Sequence, residues 1–352
     1  MDYHPLRVMA VTPRAEDATT FTFEVPKALR ETFASQPGQH LNIRLVLDGE
    51  EARRSYSVHN CTLAGEPPAI TVRRVPGGLV SNALNDRIRV DDVIECAPPS
   101  GSFGPTLAPD GYRQFVLIAA GSGITPMLSI LRSVLHAEPR SFVDLLYGNH
   151  SRQSALFADD LDGLADAHPT VRVQHTFSSA GWWASLNGAW RGRIDAERLR
   201  QFVNAYPPRA QTVAYYVCGP GGMNASVRAT LLRLGVLPEQ IHMEHYGAVI
   251  DEAAHATEAM PDARLVATLR GETVETQIAA GRTVLQALRN AGGSPPYSCE
   301  SGVCATCRAR VTEGKVRMRA AMGLSSEEID QGYVLTCQSI PVTEAVALSY
   351  DA

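Results

Sequence analysis

The chain has 352 residues, of which 45% are hydrophobic and 20% charged, and its formal net charge is −5. This length and composition predict two or three globular domains with real cores. The small acidic excess argues against a large basic surface for nucleic acid. No apolar run of about 18 residues indicates a membrane-spanning helix, and the polar start MDYHPLRVMAVTPRAED does not fit a signal peptide. We therefore expect a cytoplasmic protein, in which cysteines are more often ligands or free thiols than disulfides.

Short alternating segments, separated by turn residues, run from Leu6 to about residue 105. TTFTFEV, HLNIRLVL, AITVRRV and DVIECAP have the period of half-buried strands. They predict a small antiparallel β-barrel over residues 1–108.

Two short motifs in this barrel suit a flavin. RSYS, residues 54–57, resembles the R-x-Y-[ST] motif of the ferredoxin–NADP reductase family. The resemblance implies that Arg54 binds flavin phosphate, Tyr56 lies on the isoalloxazine and Ser57 reaches flavin N5. GGLVS, residues 77–81, resembles the family's G-x-x-S, in which a helix N-terminus faces the pyrophosphate. Without the family context, Arg54 and Tyr56 fit surface and core positions, and Ser81 fits a turn cap. The further flavin contacts implied are Val72, Gly78, Leu79, Val80 and Ser81.

A nucleotide-binding unit is predicted over residues 109–247. FVLIAA, GSGITP and LSILRSVL indicate a buried strand, a glycine turn and an amphipathic helix. Proline stands where G-x-G-x-x-G would have its third glycine, which disfavours a Rossmann dehydrogenase. The pattern instead resembles the NAD(P) domain of the same reductase family. The coenzyme contacts implied are Gly121, Ser122, Gly123, Ile124, Thr125 and Pro126.

The next strand, FVDLLYGN, bears on the choice of coenzyme. In the family its end selects the adenosine ribose, where an acidic residue would favour NADH by binding the 2′-hydroxyl. Asn149 and Arg152 follow this strand, and Asp144 lies too early on it. Arg152 suits a 2′-phosphate, although it also fits a solvated loop charge. The pattern favours NADPH and leaves NADH open.

Two markers close this domain. CGPGGM, residues 218–223, resembles the family's nicotinamide-side motif, which implies that Cys218 lies beside the site of hydride transfer. A lone cysteine is otherwise more often a small buried hydrophobe. Tyr246 in IHMEHYG is the candidate aromatic over the flavin face, with simple packing as the alternative. Cys218, Ser57 and Tyr246 are thus the candidate catalytic residues. The coenzyme contacts implied here are Cys218, Gly219, Pro220 and Met223.

Residues 248–262 hold four acids and no Lys or Arg, which predicts an exposed linker. The part of the chain that follows, residues 263–352, contains four cysteines at close spacing. The spacing is C-x4-C-x2-C, 29 residues, then C, the plant-type spacing for a [2Fe-2S] cluster. Structural zinc, usually held by C-x2-C pairs, is the alternative. Small residues such as Ser301 and Gly302 would let backbone N–H groups approach the cluster, and Gly302 permits a positive φ. The candidate ligands are Cys299, Cys304, Cys307 and Cys337.

The flanks of these cysteines resemble the β-grasp fold of plant-type ferredoxins. ARLVATLRGETVETQIAAGRTVLQALRNAGG indicates two strands joined at 270–271, then a helix with Thr283 as its N-cap and Gly292 after its end. A further strand, the cysteine loop and RARVTEG complete the expected order.

The fold class is therefore expected to be multidomain: an antiparallel flavin β-barrel, an α/β parallel-sheet NAD(P) domain and a β-grasp [2Fe-2S] ferredoxin domain. This order resembles the reductase components of bacterial multicomponent oxygenases, including those for phenylacetyl-CoA epoxidation and 3-ketosteroid hydroxylation. The resemblance implies FAD, with FMN left open. It also implies electron flow from NAD(P)H through flavin and cluster to an oxygenase component, either di-iron or Rieske. Carnitine-type oxygenases are further candidate partners, and a non-enzymatic redox sensor is the alternative from another class.

Overall fold

The computed structural model describes residues 2–47, 49–179, 188–246, 262–300, 302–321, 323–324 and 326–352. The chain divides into two compact units, Asp2–Tyr246 and Gly247–Ala352. Apart from Asp262, the predicted linker lies outside the described residues, as does Ser301 of the cysteine loop. Within the described ranges, no helix has both the length and the apolar character needed to cross a bilayer.

An antiparallel barrel forms the first part of the unit Asp2–Tyr246. Its strands pair in the order β4-β3-β6-β1-β2-β5, and a bridge between Val58 and Ile70 joins the two ends of this order, which closes the sheet. A helix follows the fifth strand. The elements are β1 (His4–Arg14), β2 (Ala18–Glu24), β3 (His40–Leu47), β4 (Glu50–Ser57), β5 (Ala69–Arg73), α1 (Leu79–Arg87) and β6 (Val93–Cys96).

Apolar residues at every second position of the strands form the core of the barrel. Phe21 and Phe23 on β2, and Leu41 and Ile43 on β3, are fully buried, because residues two apart point to the same face of a strand. The four segments with a clear period were predicted as strands, and each contains one.

A six-stranded parallel sheet forms the rest of this unit. Its order, β10-β9-β8-β7-β11-β12, reverses direction between β7 and β11, and ligands of such sheets bind at the carboxyl ends of the strands beside that point. The strands are β7 (Gln114–Ala120), β8 (Phe142–Asn149), β9 (Val171–Phe177), β10 (Trp190–Arg191), β11 (Val213–Gly219) and β12 (Ile241–His245). The helices are α2 (Ile124–Ala137), α3 (Ala158–Ala167), α4 (Ala196–Ala205) and α5 (Gly221–Arg233).

The unit Gly247–Ala352 has a five-stranded sheet in the order β14-β13-β19-β15-β17 and a two-stranded sheet of β16 and β18. The adjacent strands β13 and β19 are parallel, as expected for a β-grasp fold. The elements are β13 (Ala263–Leu269), β14 (Glu272–Ile278), α6 (Val284–Asn290), β15 (Arg308–Glu313), β16 (Val316–Met318), α7 (Ser326–Asp330), β17 (Tyr333–Leu335), β18 (Ser339–Pro341) and β19 (Ala345–Ser349).

The predicted ends of α6 are confirmed. The Thr283 hydroxyl accepts from the Gln286 N–H at 3.3 Å, and the Gln286 side chain accepts from the Thr283 N–H at 3.1 Å. This reciprocal cap fixes the first turn. Beyond the helix, Gly292 has φ +79°, the left-handed conformation that ends many helices.

The strand predicted between α6 and the cysteine loop is wrong, since residues 291–298 contain none. Pro295 and Pro296 lie in this segment, and neither has an N–H to donate to a strand ladder.

Candidate functional site

The glycine turn after β7 and the cysteine motif after β11 meet at the point where the parallel sheet reverses. Cys218 pairs with Ala119 across the two strands. The turn lies so close that a Cβ on Gly123 would stand 2.2 Å from the Cys218 carbonyl oxygen. Only glycine fits this approach, so the two predicted coenzyme motifs share one crevice.

The hydroxyl of Tyr246 joins the barrel to this crevice. It shares hydrogen bonds with the Ser57 hydroxyl, at the end of β4, and with the Thr125 hydroxyl at 3.0 Å. A hydrogen bond with Tyr246 also acts on the Cys218 thiol, whose pKa is nevertheless raised, mainly by burial. The structure therefore brings together all three candidate catalytic residues, which come from three separate motifs.

Glu244 also belongs to this site, and the sequence reasoning missed it. Its Oε2 lies 4.0 Å from the Cys218 Sγ, and burial raises the pKa of Glu244 to about 8. The Asn224 side chain donates to the Glu244 carbonyl oxygen at 2.9 Å, which fixes the end of β12. The local sequence held no signal for it, because Glu244 lies 26 positions after Cys218 and the two residues meet only where β12 pairs with β11.

The residues expected at the flavin lie along the rim of the barrel. Arg54 on β4 donates to the Arg53 carbonyl oxygen at 2.7 Å. Burial raises the pKa of Tyr56, and the nearby charge of Arg54 opposes that shift. Val72, another expected flavin contact, is instead fully buried in the barrel core, and its carbonyl oxygen accepts from the Asn85 side chain at 3.2 Å.

The GGLVS turn opens α1 as expected, with Gly78 as its N-cap. The Ser81 hydroxyl accepts from the Val75 N–H at 3.1 Å and donates to the Gly78 carbonyl oxygen at 3.4 Å. It therefore caps the turn itself. The N–H groups of Leu79 and Val80, in the first turn of the helix, are the ones left for an anion.

Arg73, which the sequence reasoning also missed, brings a positive charge from the barrel to the coenzyme turn. Its Nη1 lies 3.5 Å from the place of a Cβ on Gly121. Its guanidinium is held by Asp17, at 3.1 Å, and by the Ser154 carbonyl oxygen, at 2.5 Å. The Tyr147 hydroxyl donates to the Gly121 carbonyl oxygen at 3.1 Å. A fixed guanidinium beside this turn suits a pyrophosphate.

The remaining residues of these motifs lie around the same crevice. Ile124 and Pro126 are buried in the first turn of α2, and the Thr125 hydroxyl donates to the Ser122 carbonyl oxygen at 3.0 Å. The Met223 side chain covers Gly219, where a Cβ would stand 2.5 Å from the Met223 methyl carbon. Pro220 is the N-cap of α5.

The end of β8 carries a network that the sequence did not indicate. Asn149 ends the strand, and Arg152 donates to Asp159 at 2.6 Å and to Asp162 at 2.8 Å. Both carboxylates come from α3. Asp144 is buried in the first half of β8 and binds Arg172, far from the carboxyl end of the strand, as expected.

The four candidate cluster ligands converge in the second unit. Their thiols form two hydrogen-bonded pairs, Cys299 with Cys304 and Cys307 with Cys337, and the charge of Cys299 acts on both members of the second pair. The N–H of Cys304 donates to the Cys299 Sγ at 3.4 Å, and a backbone hydrogen bond from Gly302 opposes the raised pKa of the Cys337 thiol. Gly302 has the expected positive φ, +76°.

These sulfurs fit a binuclear cluster. In the described part of the chain, no group of three or more His, Cys, Asp or Glu side chains is close enough to hold a metal ion. The four cysteines approach one another as two pairs and would supply the four thiolates of a [2Fe-2S] cluster. The hydrogen bond with Cys299 raises the pKa of Cys304, and that with Cys307 raises the pKa of Cys337. Bound iron would offset the cost of holding these thiolates together.

Three family models match the chain. Residues 5–104 match an oxidoreductase FAD-binding domain, residues 117–229 an oxidoreductase NAD-binding domain, and residues 267–342 a 2Fe-2S iron-sulfur cluster binding domain. One component of the 1,2-phenylacetyl-CoA epoxidase of Escherichia coli strain K12 is 34% identical, over 99% of this chain and 98% of that protein. The chain belongs to the ferredoxin–NADP reductase superfamily. It is an oxidoreductase of this superfamily that uses FAD, NAD(P)H and a [2Fe-2S] cluster.

Other comparisons agree with this family. The ferredoxin reductase component of the 3-ketosteroid-9-alpha-monooxygenase of Rhodococcus rhodochrous is 32% identical, over 98% of this chain and 96% of that protein. The solved structure of phthalate dioxygenase reductase superposes with a TM-score of 0.63 at 25% identity, over 99% of this chain and 98% of that chain. The predicted three-part fold class is confirmed, the cluster replaces the zinc alternative, and the FAD-binding model supports FAD.

Proposed function

We propose that this reductase delivers electrons from NAD(P)H to the oxygenase component of a phenylacetyl-CoA epoxidase, in phenylacetate catabolism. The observation that carries the delivery of electrons is the presence, in one chain, of a flavin and coenzyme crevice and a separate cluster site. The similarity over nearly the full length to a component of such an epoxidase supports this choice of partner. The 3-ketosteroid relative is the second candidate, at an identity only slightly lower.

The residues around Tyr246 would surround the place where a hydride passes from NAD(P)H to FAD. When bound, NAD(P)H supplies a hydride, FAD takes its two electrons and releases them singly, and the cluster carries one electron at a time. Tyr246, tied to Ser57 and Thr125, would close the crevice until the nicotinamide enters. Glu244 would keep a proton beside the Cys218 sulfur below about pH 8.

The other site assignments and the domain bounds 1–108, 109–247 and 263–352 are proposals of the same kind. Arg54 would anchor flavin phosphate, the first turn of α1 the pyrophosphate, and Arg73 the coenzyme pyrophosphate. The four cysteines would hold the cluster irons. A cytoplasmic location stays a prediction that cell fractionation would test.

The preference for NADPH also stays a prediction, and one contact counts against it. A 2′-phosphate would have to displace Asp159 or Asp162 from Arg152, whereas either carboxylate could accept from a ribose hydroxyl. The ratio of kcat/KM for the two coenzymes decides. A ratio in favour of NADH by about two orders of magnitude, or about 2.7 kcal/mol, would overturn the preference and point to these carboxylates.

Removal of one cluster ligand tests the order of electron flow. Cys307→Ser should lose the visible bands of the cluster but keep its flavin and still reduce ferricyanide, which takes electrons directly from flavin. It should fail to support the oxygenase. An oxygenase that turns over at the normal rate with this variant would exclude the cluster as the exit of the chain. A variant that keeps its flavin but loses ferricyanide activity would mean that flavin and cluster are not separable steps.

The identity of the partner needs a reconstitution. The purified reductase should support product formation by the di-iron epoxidase component with phenylacetyl-CoA, and should do so less well with a Rieske oxygenase. If the Rieske oxygenase were supported better than the di-iron epoxidase, the electron-transfer role would stand but the proposed partner would be wrong.

A further inference from the structure

A buried glutamine sits directly behind the cysteine loop. Gln338 follows Cys337 and is 1% exposed. Its Nε2 donates to the carbonyl oxygen of Glu300 at 2.8 Å. The Oε1 of the same amide is buried and has no hydrogen-bond partner in the part of the chain that the structure describes. An apolar side chain of similar size would avoid the cost of burying this oxygen, so packing alone does not account for the amide.

The amide holds a stretch of backbone in a rare conformation. Glu300 has φ +51°, in the left-handed region that residues other than glycine seldom occupy. The bond from Gln338 to its carbonyl fixes the orientation of this peptide. The Glu300 side chain has its own partner, because the Arg289 guanidinium lies 3.4 Å from its carboxylate. This ion pair is exposed and contributes little to holding the backbone.

Gln338 also contacts the loop two residues further on. A Cβ on Gly302 would stand 2.9 Å from the Gln338 Cγ and 2.8 Å from the Ala320 carbonyl oxygen. A backbone hydrogen bond from Gly302 opposes the raised pKa of the Cys337 thiol, so this N–H acts on that sulfur. The glutamine therefore contacts both Glu300 and Gly302.

We propose that Gln338 is a positioning residue for the cluster: by holding the Glu300 carbonyl it keeps the Gly302 N–H on the Cys337 sulfur and so raises the reduction potential. Hydrogen bonds to ligand sulfurs stabilise the extra negative charge of the reduced cluster, and such contacts are among the factors that set iron–sulfur potentials. The inference rests on the cluster assignment and not on the identity of the oxygenase.

Substitution of the amide by an unbranched side chain of similar length tests the proposal. Gln338→Met in the holoprotein should keep its iron and flavin and have a more negative cluster potential, by up to about tenfold in the reduction equilibrium, or about 59 mV for one electron. Its visible circular dichroism and EPR spectra should also change. Gln277→Met, the same replacement at an exposed position on β14, should leave potential and spectra unchanged.

An unchanged potential and unchanged spectra in an iron-replete Gln338→Met would overturn the proposal. If that variant assembles no cluster, Gln338→Asn is measured instead; its amide is one methylene too short to reach the Glu300 carbonyl, so the potential should again be more negative. A wild-type potential in Gln338→Asn would overturn the proposal. So would loss of iron from both variants with flavin retained, because that result marks a purely structural role.

Discussion

Among the single residues, Glu244 should make the stability of the folded protein depend on pH. Burial raises the pKa of this carboxyl from 4.5 to about 8, so the folded state keeps a proton that the unfolded state releases. Its contribution to stability is complete below about pH 4.5 and declines as the pH rises to about 8. Glu244→Gln should remove that decline. The free energy of unfolding in urea, measured between about pH 5 and 9, tests this, because most of the interval between the two pKa values lies in that range.

The matched control for this prediction is Glu239→Gln, on the exposed turn before β12, which should keep the wild-type pH dependence. The same pair of variants tests the role in the crevice. A step near pH 8 in kcat/KM for ferricyanide reduction should vanish in Glu244→Gln alone. If the step persists there, the proton beside Cys218 is not the group that titrates.

Arg54 gives a second prediction for a single side chain. A hydrogen bond to a charged group contributes about 1.5–3 kcal/mol, so Arg54→Ala should weaken flavin binding by about 10- to 150-fold. The protein should lose flavin on dilution, as measured by fluorescence of the released flavin. Arg53→Ala is the control, because adjacent strand residues point to opposite faces and Arg53 pairs with Glu51. Full flavin occupancy in Arg54→Ala would place the phosphate anchor elsewhere.

Between secondary-structure elements, the contact of the start of α2 with the end of β11 tolerates no side chain. Gly123→Ala would push a Cβ to 2.2 Å from a backbone oxygen, so the turn and β11 must move apart. We expect a loss of about 1–3 kcal/mol of stability, as for other overpacked sites, and a raised KM for the coenzyme. Thermal unfolding and steady-state kinetics measure the two effects.

A second glycine in the same sheet domain serves as the control for this contact. Gly163 lies within α3, where an added Cβ would meet nothing within 4 Å. Gly163→Ala should therefore stabilise the protein by about 0.5–1 kcal/mol through helix propensity and leave the KM unchanged. A Gly123→Ala variant as stable as Gly163→Ala would show that the crevice is looser than the structure indicates.

For the molecule as a whole, the division after Tyr246 predicts two separable folding units. Calorimetry of the holoprotein should show two transitions, because units with their own cores unfold independently unless a large interface couples them. Cys307→Ser should lower only the transition that belongs to the ferredoxin unit. A single transition that shifts as a whole in this variant would contradict the division.

The cofactors and the three-part fold could be predicted from the amino-acid sequence. The cysteine spacing, the GSGITP turn and the CGPGGM turn are each short stretches whose local backbone performs the function, so neighbouring letters suffice to identify them. The hydrophobic period predicted strands β2, β3, β5 and β6 and the β7–α2 unit in the same local way. The strand expected before the cysteine loop did not form, because Pro295 and Pro296 have no N–H to donate to a strand ladder.

The side chains that complete the sites could be identified only once the elements were packed together. Glu244 beside Cys218, Arg73 beside Gly121 and Gln338 against Glu300 join residues that are 26 or more positions apart, and nothing in the local sequence records such pairs. Likewise, α3 brings two acids to Arg152 after a strand whose end carries none. Contacts of this kind arise when separate elements pack, because packing, and not the chain's own period, sets which side chains face each other.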